Sequence, residues 1–184
     1  VQNLDAMEIK SEGVANNLDT FFGGGNLSAL FITSTGHFAV DQYISSSFDP
    51  ETPITIDASA NTGGVDLRIG NAQNYTIVGS GGNDRFVVNT LDQDNGPAND
   101  ETVTITGGVG DNYYEIDGAD VVTITNANGN NNYEVSGDDE TVGLVTITAG
   151  NGNNKLELDS VATANVSLGN GNNRVEISSE DSND

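Results

Sequence analysis

One short turn, written five times without gaps, constrains this chain more than any other feature. The segments GSGGNDRFVV (79–88), GGVGDNYYEI (107–116), NANGNNNYEV (126–135), AGNGNNKLEL (149–158) and LGNGNNRVEI (168–177) align column by column. Their central glycines are Gly82, Gly110, Gly129, Gly152 and Gly171, at steps of 28, 19, 23 and 19 residues. The basic period is therefore 19, with two insertions. A fixed period of this size means a solenoid, in which each repeat buries its apolar face only against its neighbours.

The aligned columns give the cross-section. Phe86, Tyr114, Tyr133, Leu156 and Val175 form one apolar column, and Val88, Ile116, Val135, Leu158 and Ile177 form another two residues on. Between them stand Val87, Glu115, Glu134, Glu157 and Glu176. This alternation is the period-2 signature of a half-buried strand. A second strand precedes each turn, at 75–77, 103–105, 122–124, 145–147 and 164–166, with Thr76, Thr104, Thr123 and Thr146 in the outward slot, where strand propensity favours them. Two strands and two turns in 19 residues predict a flat, two-sided parallel β-solenoid with rungs roughly 4.8 Å apart. Its crossovers are expected to be right-handed, as such connections nearly always are. The regular part is read as 79–184. Residues 1–78 hold irregular rungs of the same solenoid, with Phe21 and Phe22 as an N-terminal cap or as ordinary core.

The turn resembles the RTX (haemolysin-type) nonapeptide GGxGxDxUx: GSGGNDRFV matches closely, and GGVGDNYYE matches with its aspartate one place early. The resemblance implies a β-roll in which turn carbonyls and the aspartate bind Ca²⁺ between adjacent coils. The chain departs from that pattern, since the aspartate column reads Asp84, Asn112, Asn131, Asn154, Asn173 and the column before it Asn83, Asp111, Asn130, Asn153, Asn172. Asparagine offers a hard cation an oxygen but no charge. Ladders of stacked amides are expected in the last three turns. Calcium is expected at the first two, around Gly82, Asn83, Asp84, Gly108, Gly110, Asp111 and Asn112. Acidic residues of the opposite turns, Asp117, Asp120, Asp138 and Asp139, are further candidates, with a solvated acidic loop as the simpler reading. The acidic insertion at 89–100 is read as a solvated loop too.

Charge sharpens the functional reading. Five basic against 28 acidic residues give a net charge of −23, which disfavours nucleic acid and favours divalent cations or high salt. The stacked glutamates are expected to repel one another. Lys155 and Arg174 can neutralise Glu157 and Glu176, whereas Glu115 and Glu134 have Tyr113 and Asn132 in that slot, so metal dependence is expected. No stretch is long and apolar enough for a membrane span. His37 is the only histidine, and the few Lys and Arg are scattered, so no catalytic constellation is apparent and an enzyme is not expected. Together with the Thr-, Ser- and Asn-rich rungs of the N-terminal half, the turns resemble bacterial S-layer proteins that carry RTX repeats. That resemblance implies a calcium-stabilised structural protein of an extracellular, cell-surface assembly, joined to copies of itself or to other subunits. The alternatives are an adhesin segment or virion fibre or decoration protein, and, more distantly, a non-catalytic module of a calcium-dependent polysaccharide-modifying enzyme.

Overall fold

A computed structural model describes residues 5–19, 22–23, 27–46, 53–70, 74–90, 101–137 and 141–178. It is a parallel β-solenoid, and among the described residues there is no helix. The chain passes back and forth between two sheets. The first sheet stacks Ala6–Ser11, Ala29–Ser34, Ile54–Asp57, Asn74–Val78, Thr102–Thr106, Val121–Thr125, Leu144–Thr148 and Ala164–Ser167. The second stacks Asn16–Leu18, Phe38–Ser46, Val65–Gly70, Arg85–Asn89, Tyr113–Asp117, Asn132–Ser136, Lys155–Asp159 and Arg174–Ser178, with the short strand Phe22–Gly23 also paired to Phe38–Ser46. The same two sheets continue from the irregular rungs into the regular ones.

Register follows the repeat. Tyr114 pairs with Tyr133, Tyr133 with Leu156, and Leu156 with Val175. Phe86, Tyr114, Tyr133 and Leu156 are fully buried, and the three rings stack with centroids 5.9 and 5.4 Å apart. Val175 keeps the register of this column but is half exposed, because its strand is the last described rung.

A turn of the solenoid takes about 23 residues on average, where the repeat predicts 19. In the regular part the difference lies on one edge. Every crossing from the first sheet to the second in the regular part is six residues long: 79–84, 107–112, 126–131, 149–154 and 168–173. The return crossings vary instead, running over 90–101, 118–120, 137–143 and 160–163. The repeated turns hydrogen-bond to each other rung by rung, which fixes their length, while the return edge tolerates insertions.

Of the features expected from the sequence, the Phe21–Phe22 cap, most of the 89–100 loop, and Asp138 and Asp139 lie outside the described residues or side chains.

Candidate functional site

The repeated turns stack so closely that several positions exclude a side chain. A Cβ on Gly152, whose φ is +149°, would lie 2.0 Å from the carbonyl oxygen of Gly129; one on Gly108 would lie 1.5 Å from that of Ser80. Backbone angle and space both require glycine at 152, and space alone requires it at 108. With the backbones in contact, side chains of equivalent residues meet across rungs, and three ladders result.

The inner ladder is buried from Asp84 to Asn154 and reaches the surface at Asn173. The Asp84 N–H donates to Asn112 Oδ1 (2.8 Å), Asn112 N–H to Asn131 Oδ1 (3.2 Å), Asn131 N–H to Asn154 Oδ1 (3.1 Å) and Asn154 N–H to Asn173 Oδ1 (3.0 Å). Each amide also donates backwards within its own turn, Asn112 to the carbonyl of Gly110, Asn131 to that of Gly129 and Asn154 to that of Gly152. The outer ladder is exposed and runs with the opposite polarity. Asn83 Oδ1 accepts from Asp111 N–H (2.9 Å), Asp111 Oδ1 from Asn130 N–H (2.7 Å), Asn130 Oδ1 from Asn153 N–H (2.8 Å) and Asn153 Oδ1 from Asn172 N–H (2.8 Å). A third ladder joins Asn128, Asn151 and Asn170. The sequence carries it as plainly as the other two, but it lies ahead of the glycine and outside the RTX aspartate columns.

Asp84 begins the inner ladder and is its one carboxylate. It is buried, and it accepts from the N–H (2.8 Å) and hydroxyl of Ser80 and from the N–H of Val65 (3.1 Å). Burial raises its pKa above the ordinary carboxylate value, against the lowering effect of those donors. Asp111, by contrast, is exposed in the outer ladder, where Asn130 donates to it with both N–H and Nδ2. The two aspartates expected to share a calcium thus sit in different ladders. The inner oxygens meet N–H donors, and the Gly110, Gly129 and Gly152 carbonyls are engaged by asparagine amides. This donor set does not fit a hard cation, which needs converging free oxygens.

On the outer face of the second sheet, Glu115, Glu134 and Glu157 stack as expected, and with Asp117, Ser136 and Asp159 they line a shallow groove of about 220 Å³. More of their charge is compensated than the sequence suggests. Arg85 reaches Asp66 (3.5 Å) and Glu115 (3.4 Å) and lies over the Tyr113 ring. The Tyr113 hydroxyl bridges Glu134 (2.7 Å) and Glu115 (3.1 Å), Asn132 donates to Glu134, and Lys155 sits 3.0 Å from Glu157. Desolvation, followed by the two carboxylates, raises the Tyr113 pKa, so its proton stays in place as the bridge. Asp117 accepts from the hydroxyl of Ser136, and Asp159 from that of Ser178 (3.0 Å). Asp120 is half-buried on the return edge, where its carbonyl accepts from the Leu144 N–H. Among the described residues, no three His, Asp or Glu side chains converge as a metal cluster.

Comparison with protein-family models, with curated proteins and with solved structures finds no match for this chain.

Proposed function

We propose that this chain is a non-catalytic structural protein: a stiff segment of an extracellular, surface-layer type of assembly, joined to copies of itself or to other subunits. The observation that carries the reading is the unbroken stack of laddered turns, in which equivalent residues bond rung to rung from Asp84 to Asn173. The resemblance of the turns to RTX repeats supports the surface-layer part. The ladders support the stiffness, since they satisfy the turns internally and give each rung one register on the next.

Calcium enters this proposal at the acidic outer face and return edge, where it would screen a net charge of −23, and not inside the asparagine turns. Light scattering of the purified chain in chelator and in millimolar Ca²⁺ tests the reading. Association on adding Ca²⁺ is the expected result. A monomer in both conditions would remove the basis for assembly.

A further inference from the structure

The outer face of the first sheet changes character over its last five strands. From Asn74–Val78 to Ala164–Ser167, five strands lie in continuous register, with Thr76 beside Thr104, Thr104 beside Thr123, Thr123 beside Thr146, and Thr146 beside Asn165. A second column, Thr106, Thr125 and Thr148, runs parallel to it. The result is a two-dimensional net of hydroxyl and methyl groups, spaced about 4.8 Å across strands and about 6.7 Å along them. Thr104, Thr106, Thr125 and Thr148 are exposed, and Thr123 and Thr146 half-exposed. No outward residue of these five strands is charged and none is aromatic, in a chain that carries −23 overall. Within the strands of the same rungs the charges lie on the opposite sheet, among them Arg85, Glu115, Glu134, Lys155 and Glu157.

Size and charge limit what can sit on this net. Five strands of four or five residues cover roughly 300 Å², against the ~800 Å² per partner of a standard protein interface. A second copy would also bring another −23, and like charge opposes close approach. Polysaccharide recognition relies on aromatic platforms, which are missing from these positions.

A partner that is itself a flat, periodic lattice of neutral hydrogen-bonding groups fits better. A threonine hydroxyl has one donor and two acceptor sites and can take the place of a lattice water. Its β-branched side chain is stiff at χ1, so the net is ordered before contact. A carboxylate or ammonium would turn neighbouring waters radially around itself and break a tetrahedral network, and this face has neither. We propose that the threonine face between Asn74 and Ser167 docks on the surface of crystalline water, that is, ice.

The proposal does not rest on the assembly reading and is tested apart from it, in chelator. The labelled chain is included in slowly grown ice, and its concentration in the ice is compared with that in the remaining liquid. The wild-type chain and Asp66→Asn, on the opposite face, should enter the ice. Thr123→Lys should be excluded while keeping its β-sheet circular dichroism. Should the lysine variant fail to fold, Thr123→Tyr keeps strand propensity, breaks the flatness, and should likewise be excluded. Exclusion of the wild-type chain to the same degree as the variant overturns the proposal. So does a sedimentation profile in which Thr123→Lys dissociates a dimer, since the face would then belong to a second copy.

Discussion

Ser80→Ala probes the one place where the inner ladder holds a charge. The Ser80 hydroxyl donates to Asp84 and accepts from Gly82 N–H (3.0 Å), while its backbone N–H stays on Asp84 in the variant. Burial raises the Asp84 carboxyl. A carboxyl with a raised folded pKa holds its proton more tightly in the fold than in the unfolded chain. Its contribution to stability is thus complete below the unfolded value near ~3.9 and is lost as pH rises through the folded value. Above that window the fold must keep a buried charge, and Ser80 is a principal donor to it. At neutral pH the variant loses a bond to an ion, about 1.5–3 kcal/mol, and near pH 3 only a neutral one, about 0.5–1.5 kcal/mol. For a chain of this length the neutral-pH loss corresponds to a fall in Tm of about 3–12 °C. Thermal unfolding followed by circular dichroism at both pH values measures it. An equal loss at the two, or a larger one in acid, would refute the claim that Ser80 stabilises an ionised Asp84.

Asn154→Asp should destabilise by about 3–5 kcal/mol, because an oxygen replaces the amide that donates to Gly152 and Asn173 and a buried charge is left unpaired; a Ca²⁺-dependent gain in Tm would instead reveal a cation cage. Tyr133→Phe should be neutral or stabilising, since its buried hydroxyl has no hydrogen-bond partner among the described residues. Tyr114→Phe should cost about 1 kcal/mol by removing the acceptor of Asn126 Nδ2; urea denaturation of the pair checks the contrast. Gly152→Ala should cost well over ~1 kcal/mol, through its positive φ and the Gly129 carbonyl in the way of the new methyl, and loss of the cooperative thermal transition is the readout.

Much of this architecture was legible because the solenoid repeats its own cross-section. Period-2 alternation named the inward columns, and gapless alignment of the turns fixed which residues meet across rungs. What could not be read was which way the turn groups face. Asp84 and Asp111 stand one place apart in the alignment, and only backbone geometry buries the first and exposes the second. The relief of the glutamate column was equally hidden. It depends on the reach of Arg85 and Tyr113 across rungs, and in the alignment Tyr113 marks a missing cation when it is in fact a bridging donor.

The opposed polarity of the two asparagine columns makes each rung a specification for the next. Each rung's outer column presents a side-chain oxygen that takes the next rung's backbone N–H, and its inner column presents a backbone N–H that takes the next rung's side-chain oxygen. A rung carrying Asn at the inner place meets both demands at once, whereas Leu or Val there would strand a buried donor. The stack therefore reads composition as well as shape in settling which rung follows which.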